Sequence, residues 1–361
     1  MKYIDEYRDK ALVSRLGDLI TSSVKGGYTF MEVCGGHTNA IHRFGIRALL
    51  PESINLVSGP GCPVCVTGRS YIDRAIAISG EDDVIITTFG DLIRVPGTVS
   101  SLEKPRSQGK DIRIVLSSLE ALETARRNPG KKVVFLAIGF ETTAPGTAVA
   151  IKQAAKEKIS NFFILNAHKV MPPAMEAVIG DGVNIDGFIC PGHVAAVTGS
   201  GIFSFIPLKY RLGCVVAGFE PVDLMQSILM LVRQKNNMAP SVEIQYTRAV
   251  TEEGNHLAQR TMADVFEPCE SYWRGFGNIK DSGLRLRKEY EEYDAGYAFQ
   301  VSVQVDEDDG RCICGEILRG REIPFSCPLF ATECMPENPV GACMVSHEGT
   351  CNTWYRYRRN G

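Results

Sequence analysis

Two series of short apolar runs indicate the fold class of this 361-residue chain more clearly than any other feature of its sequence. Helical stretches and glycine-containing turns separate the runs. Each run has about the length of one strand, and near-continuous apolar character is typical of strands buried on both faces. Because a parallel pair of strands needs a long crossover connection, the alternation of apolar runs and helical stretches predicts an α/β fold with parallel sheets. The runs are residues 30–33, 54–57, 84–88 and 112–116, and then residues 133–138, 161–165, 185–189 and 214–217.

The two series also resemble each other. Residues 30–38 align without gaps on residues 135–143, and residues 83–90 resemble residues 185–192. This similarity predicts a duplicated α/β domain, with chance similarity of two strand–helix–strand units as the alternative. Since open α/β sheets bind ligands at the carboxyl ends of their strands, we expect a cleft between the two halves to be the functional site.

Charge and hydropathy exclude several classes of partner. The chain has 39 Lys and Arg against 42 Asp and Glu, so its net charge gives no long-range attraction to phosphate, and we expect no nucleic-acid partner. No run of 18 apolar residues is present, and the charged first ten residues do not resemble a signal peptide, so we expect a cytoplasmic protein that does not contact membranes. In the cytosol thiols stay reduced, and clustered cysteines then favour metal ligands or redox centres over structural disulfides.

A C-x-x-C pair, Cys62 and Cys65, lies in a Gly-Pro-Gly-Cys-Pro-Val-Cys segment directly after a predicted strand. Two thiols at this spacing can close a disulfide, and the N-terminus of a following helix would favour the thiolate. Half of a zinc site and two unreactive cysteines in a turn are the alternatives.

A second cysteine motif, Cys34-Gly-Gly-His37-Thr38, also follows a predicted strand. The two glycines allow the backbone to approach a ligand closely, and a thiol beside an imidazole can bind a transition metal. His37 could instead activate Cys34 as a nucleophile, or be an ordinary hydrogen-bonded histidine.

Several other polar residues follow predicted strands and are expected to line the same cleft. Each taken alone is equally typical of a helix cap or a turn, so their shared position at strand ends carries the prediction. Neither a phosphate-binding loop nor a dinucleotide-binding fingerprint is present. The cleft candidates are Thr38, Asp91, Arg94, Glu141, Thr142, Thr143 and His193.

Six of the twelve cysteines fall in the 40 residues from Cys312 to Cys351. Six thiols exceed the four that a [4Fe–4S] cluster or a zinc site needs, and spacing alone does not select the ligands. Four prolines interrupt regular structure around them, as expected where loops wrap a metal centre. We predict an iron–sulfur cluster rather than zinc, because surplus thiols beside a cluster suit redox work.

The predicted architecture is therefore two similar parallel-sheet α/β domains facing a central cleft, plus a third, iron–sulfur-binding domain of mixed α and irregular structure. The first domain carries Cys34, Cys62 and Cys65. The expected domains are residues 25–118, residues 119–235 and residues 236–361, with residues 1–24 packed on the third.

With these motifs in this order, the sequence resembles the HypD family of hydrogenase maturation factors over essentially the whole chain. The resemblance implies a scaffold on which the Fe(CN)2CO group of [NiFe]-hydrogenase is assembled, together with the small chaperone HypC and with cyanide from HypE. It also implies a metallocofactor assembly scaffold with redox activity, which we expect to be a monomer by itself.

The resemblance also implies roles for individual cysteines. Cys34 would bind the iron together with HypC, and Cys62 and Cys65 would form one of two thiol pairs. Cys314 and Cys343 would form the other pair. The implied [4Fe–4S] ligands are Cys312, Cys327, Cys334 and Cys351.

His37 and Glu141 are the candidates for proton handling, and His193 for lining the cleft. Of the other cysteines, Cys190 is expected near the cleft, and Cys214 and Cys269 in packing. Two other functions remain open on the sequence: an iron–sulfur disulfide reductase acting on a protein substrate, and a zinc-dependent binding module.

Overall fold

The structure is a computed structural model that describes residues 5–303 and 310–357. Its strands are β1 (Tyr28–Glu32), β2 (Ile54–Ser58), β3 (Val84–Thr88), β4 (Ile112–Ile114), β5 (Lys132–Gly139), β6 (Phe162–His168), β7 (Gly187–Pro191), β8 (Gly213–Ala217), β9 (Val242–Ile244), β10 (Phe266–Trp273) and β11 (Gly277–Leu286). Its α-helices are α1 (Lys10–Ser23), α2 (Gly35–Arg43), α3 (Pro63–Val66), α4 (Arg69–Gly80), α5 (Glu103–Ser107), α6 (Ser118–Arg127), α7 (Ala144–Glu157), α8 (Met171–Gly180), α9 (Gly192–Thr198), α10 (Pro221–Asn237), α11 (His256–Val265), α12 (Ala295–Ala298), α13 (Cys314–Leu318) and α14 (Thr350–Tyr357).

Two parallel sheets form the body of the molecule, which confirms the predicted α/β class. The first sheet has the strand order β2-β1-β7-β8-β9, and the second has the order β4-β3-β5-β6. All pairs in both sheets are parallel. Strands β3, β7 and β8 are buried along their whole length, as the apolar runs indicated. Helices pack on the sheets, for example α4 on β3, α6 on β5 and α10 on β8.

The sheets do not divide the chain at the predicted boundaries. Strands β1 and β2 share a sheet with β7, β8 and β9, whereas β3 to β6 form the other sheet. Residues 25–118 and residues 119–235 therefore each contain strands of both sheets, and β9 extends the first sheet beyond residue 236.

The sheets differ from the predicted domains because the two sequence repeats exchange strand pairs. If β1 and β2 correspond to β5 and β6, and β3 and β4 to β7 and β8, then the order β2-β1-β7-β8 is equivalent to β6-β5-β3-β4. The first strand pair of each repeat thus joins the second pair of the other. Register agrees with the alignment of residues 83–90 on residues 185–192, because Ile86 pairs with Ile112 and the residues 102 positions later, Phe188 and Cys214, also pair.

The N-terminal segment lies on the first sheet's helical layer rather than on the C-terminal region, where it was expected. Asp9 caps α1, and α1 packs against α10. Arg8 makes a bidentate ion pair with Glu220, the N-cap residue of α10. Apolar side chains of α1, including Leu16 and Ile20, join the same core as α10.

The C-terminal region consists of an antiparallel hairpin, β10–β11, followed by short helices and turns. The hairpin lies beside β6 and α8, while α14 packs on α2. A short 3₁₀ turn, Ala342–Met344, contacts α3. This region therefore touches both sheets. Within residues 5–303 and 310–357, no helix has the length and apolar character needed to cross a membrane.

Candidate functional site

A cavity of about 460 Å³ lies between the carboxyl ends of the two sheets, at the predicted cleft. Parallel strands end at the same edge of a sheet, so the turns after β1, β3, β5 and β7 meet there. The polar side chains and thiol that line it include Cys34, Asp91, Thr142, Thr143, His193 and Glu348.

Cys34 lies in the turn between β1 and α2, where backbone groups surround its thiol. The His37 backbone N–H at the start of α2 donates to the Cys34 carbonyl at 2.9 Å, and the backbone N–H groups of Gly36 and His37 favour the thiolate of Cys34. The turn after β2 presses against it, because a Cβ on Gly61 would lie 2.2 Å from the Cys34 nitrogen. Burial, with a smaller contribution from Glu348, raises the pKa of the Cys34 thiol to about 12, so the thiol keeps its proton in the absence of a metal.

A buried carboxylate, Glu32, lies behind Cys34. Its oxygens accept hydrogen bonds from the Thr38 hydroxyl at 2.5 Å and from the Cys34 backbone N–H at 3.3 Å. Burial raises its pKa to about 7 despite these bonds and one from Ser58. Sequence reasoning missed Glu32, although an acidic residue ending an apolar strand is the signal that could have identified it. Thr38 holds this carboxylate and is not among the residues that line the cavity.

His37 is fully buried and stacks on Phe219, with ring centroids 4.6 Å apart. Its Nε2 lies 3.2 Å from the Ala217 carbonyl and 3.1 Å from that of Gly218, so a proton on Nε2 can donate to them. Burial lowers its pKa to about 4, which keeps the ring neutral. His193 also stacks on Phe219, with ring centroids 3.9 Å apart. Sequence reasoning missed Phe219.

Two further cleft candidates lie elsewhere. Glu141 is buried, and its Oε1 accepts the Met171 backbone N–H at 2.9 Å, which fixes the start of α8. Burial raises its pKa to about 7. Arg94 donates to the Pro336 carbonyl at 3.1 Å and lines a separate pocket. Neither residue is among those lining the cavity beside Cys34.

Glu348 reaches the cleft from the C-terminal region, between Cys343 and Cys351. A Cβ on Gly35 would lie 2.5 Å from both Cβ and the carbonyl oxygen of Glu348, so the Gly-Gly pair permits this close contact. Burial and the neighbouring Asp91 raise the pKa of Glu348. Its position depends on how the C-terminal region docks, which no local sequence pattern encodes.

The C-x-x-C pair lies behind the cavity wall and meets the C-terminal cysteines. Cys62 begins α3, and its sulfur accepts the Cys65 backbone N–H at 3.3 Å. Side-chain hydrogen bonds join Cys65 to both Cys62 and Cys343, then Cys343 to Cys314, and Cys314 to Cys312. We call this series Cys62, Cys65, Cys343, Cys314 and Cys312 the thiol row. All twelve cysteines of the chain are free thiols.

The Cys343 thiol is shifted toward its ionised form. Hydrogen bonds from Cys314 and Cys65 lower its pKa to about 6, against the opposing effect of burial. Burial is the larger cause of the raised pKa of Cys65, and its hydrogen bond with Cys343 raises that pKa further. Cys343 is therefore placed to act as a thiolate between the two thiol pairs.

The remaining C-terminal cysteines lie around the end of the thiol row. Cys334 interacts electrostatically with Cys312 and Cys327, and Cys351 with Cys312 and Cys334. Within the described part of the chain, no three His, Cys, Asp or Glu side chains are close enough together to hold one metal ion. Cys312, Cys327, Cys334 and Cys351 have the number and type of donors that a [4Fe–4S] cluster requires.

The remaining cysteines lie apart from the thiol row. Cys190 and Cys214 are fully buried on the adjacent strands β7 and β8 and hydrogen-bond to each other. Cys190 precedes the Pro191 turn but is not among the cavity-lining residues. Cys269 is on the outer hairpin strand β10.

The fold and the site together define a class of protein: two parallel α/β sheets with a free thiol in the cleft between them, and buried thiols leading from that cleft wall to a cysteine-rich C-terminal region. The profile of the family described as HypD, hydrogenase formation hypA family, matches residues 10–358. The chain belongs to the HypD family of hydrogenase maturation factors.

Relatives in several bacteria match along nearly their full length. The hydrogenase maturation factor HypD of Cupriavidus necator is 45% identical, with 99% of this chain and 98% of the relative covered. That of Escherichia coli is 44% identical, with 99% of both chains covered. That of Rhizobium leguminosarum bv. viciae is 46% identical, with 99% of this chain and 96% of the relative covered.

Proposed function

We propose that this protein is a cytoplasmic scaffold on which the Fe(CN)2CO group of [NiFe]-hydrogenase is assembled. Iron is the substrate, HypC is the partner that shares it, and HypE supplies cyanide. The observation that carries the proposal is the position of Cys34, whose thiol opens into the cleft cavity beside Asp91, His193 and Glu348.

The surroundings of Cys34 suit a substrate iron that carries cyanide and carbon monoxide. A thiolate is a soft donor, and soft donors suit low-spin iron with strong-field ligands. The backbone N–H groups of Gly36 and His37 lower the pKa of Cys34, so they would help to stabilise the thiolate once iron replaces the proton. The cleft walls would limit the access of water to the bound iron.

The C-terminal cysteines support a resident [4Fe–4S] cluster. We assign Cys312, Cys327, Cys334 and Cys351 as its ligands, which leaves Cys314 and Cys343 as a thiol pair. The cluster, when bound, supplies single electrons beside that pair.

The thiol row permits disulfide exchange between the two pairs. Starting from a Cys62–Cys65 disulfide, the Cys343 thiolate attacks the Cys65 sulfur, forms a Cys343–Cys65 disulfide and releases the Cys62 thiolate. Cys314, whose raised pKa of about 12 keeps its thiol protonated, gives its proton to the released Cys62 thiolate and then attacks Cys343, which releases the Cys65 thiolate and leaves a Cys314–Cys343 disulfide. The exchange transfers two electrons to Cys62 and Cys65. All four cysteines are buried, so no step has to take place in bulk solvent.

Replacing Cys34 with Ala tests the proposal. We expect the Cys34→Ala complex, purified anaerobically with HypC, to lack the cyanide and carbonyl infrared bands while keeping the visible absorption of the cluster. Cys269→Ala is the matched control, because Cys269 lies on β10 away from the cleft, and it should keep both signals. Persistence of the infrared bands in Cys34→Ala would rule out Cys34 as an obligatory ligand.

The thiol row also favours a second function, an iron–sulfur disulfide reductase acting on a protein substrate. That function would use the row but leave Cys34 without a role. Reduction of a disulfide protein by the isolated chain, at equal rates in the unmodified protein and in Cys34→Ala, would favour it over the scaffold.

A further inference from the structure

His193 reaches the cleft from the strand next to the one that leads to Cys34. Strand β7 pairs with β1 in parallel, with Ile189 opposite Glu32, and the Val33 backbone N–H donates to the Ile189 carbonyl at 3.3 Å. Neighbouring strands lie about 4.8 Å apart, so the turns that carry Cys34 and His193 leave the same edge of one sheet side by side. Both residues line the same cavity.

One aromatic ring, Phe219, lies against both turns. A Cβ on Gly36 would lie 3.1 Å from a ring carbon of Phe219 and 3.6 Å from the Cys34 sulfur. The His193 imidazole stacks on the same ring, with centroids 3.9 Å apart and planes inclined by 23°. Stacking on Phe219 therefore sets the plane of the imidazole in the cavity wall beside Cys34.

The ring nitrogens of His193 make no hydrogen bond to any residue that the structure describes. His37 differs, because it is fully buried and its Nε2 lies within hydrogen-bond distance of two backbone carbonyls. The Thr143 hydroxyl, which also lines the cavity, donates to the Phe140 carbonyl at 3.2 Å. His193 is exposed, so its N–H can donate to a molecule in the cavity.

The other ionisable groups in the cavity indicate what His193 contacts. Asp91 is a carboxylate, which accepts hydrogen bonds when ionised and does not donate them. Since no three His, Cys, Asp or Glu side chains among the described residues are close enough to hold one metal ion, Cys34, Asp91 and His193 do not share one. The position of His193 therefore suits contact with a ligand of the substrate iron better than contact with the iron.

We propose that His193 is the hydrogen-bond donor that selects and orients a cyanide ligand on the iron held by Cys34. The inference rests on the proposed function, since it requires that iron. A cyanide bound through carbon has a negatively charged nitrogen, which accepts strongly from an N–H, whereas the oxygen of bound carbon monoxide accepts weakly. An imidazole has an N–H in either protonation state. Carbon monoxide in the same position would leave that N–H unpaired, so His193 favours cyanide there.

Infrared spectroscopy of the complex with HypC, purified anaerobically, tests the proposal. His193→Phe keeps a ring against Phe219 but has no N–H, whereas His193→Gln keeps an N–H donor. We expect the cyanide bands of His193→Phe to shift by more than its carbonyl band, and those of His193→Gln to lie closer to the unmodified positions. His256→Phe, the same change at an exposed residue of α11, is the control and should leave every band in place.

The infrared bands also separate failure of this inference from failure of the proposed function. Cyanide bands in His193→Phe at their unmodified positions would overturn the role of His193 alone. Absence of cyanide bands from the unmodified complex would refute the proposed function itself. A purely structural His193 would lower the thermal unfolding temperature of His193→Phe and leave its cyanide bands unmoved.

His193→Gln decides the case in which His193→Phe does not fold or carries no iron. Cyanide bands in His193→Gln close to the unmodified positions would then support a requirement for the N–H. Loss of the bands from both variants, with the visible absorption of the cluster intact, would show that an N–H donor does not replace the imidazole, and would contradict the proposal.

Discussion

Hydrogen bonds hold three buried ionisable side chains near the cleft, Glu32, His37 and Glu141. These residues support the site, whereas other side chains can touch a substrate. Cys34, Asp91 and His193 face the cavity. Glu141 does not: one of its oxygens binds the start of α8, and the other is buried without a hydrogen-bond partner. A role for Glu141 in proton handling therefore has no direct route to the cavity, and its position favours a structural role.

Replacing Glu141 with Gln should change how stability depends on pH. Burial raises the pKa of Glu141 from 4.5 to about 7, so the folded state binds this proton more tightly than the unfolded state. Tighter proton binding by Glu141 therefore stabilises the folded state by roughly 3 kcal/mol at low pH. This stabilisation is fully present below the unfolded pKa of 4.5 and is lost as the pH rises through about 7. Glutamine resembles the protonated acid and should remove most of this loss.

Urea unfolding under argon at about pH 5 and about pH 8 measures the effect. The drop in unfolding free energy between the two pH values should be smaller in Glu141→Gln than in the unmodified chain. Glu52→Gln, at an exposed carboxylate, is the control and should keep the full drop. An unchanged drop in Glu141→Gln would mean that Glu141 is not the group responsible.

The turns after strands are the elements that build the site, and the turn after β2 shapes the turn after β1. Gly35 N–H donates to the Gly61 carbonyl at 3.0 Å, and Gly61 leaves no room for a Cβ against the backbone of Cys34. Sequence patterns place both turns at strand ends, since parallel strands share an edge. Their contact could not be predicted, because it depends on β1 and β2 being neighbours.

Gly61→Ala should separate these turns. The added methyl group overlaps backbone atoms that cannot rotate away, so we expect a loss of about 1–3 kcal/mol in unfolding free energy and a loss of iron from the complex with HypC. Gly130→Ala is the matched control, because its Cβ meets nothing within 4 Å. Denaturant unfolding together with iron analysis checks both effects, and full iron content in Gly61→Ala would show that the turn tolerates the displacement.

At the scale of the whole molecule, the repeat is visible in the sequence but its assembly is not. Apolar runs and the alignment of residues 30–38 with 135–143 suffice to predict α/β sheets and polar turns at their edges. They do not specify that β1 pairs with β7 rather than β3, since both choices bury similar apolar strands. For the same reason the cavity contact of Glu348 and the burial of Arg274 were not predictable, because both depend on long-range docking of loops.

The exchange of halves makes a prediction about fragments. Residues 69–180 contain all four strands of the second sheet together with α4 to α8, whereas residues 25–118 contain two strands from each sheet. Two separate strand pairs cannot build a stable core, and a four-stranded sheet with helices can.

We therefore expect the fragment 69–180 to unfold cooperatively in thermal circular dichroism, and the fragments 25–118 and 119–235 to show no cooperative transition. Because 69–180 lacks the β10–β11 hairpin, which lies beside β6 in the full chain, its midpoint should be lower than that of the full chain. Cooperative unfolding of 25–118 alone would show that β1 to β4 can form one sheet, and would remove the basis for the exchange.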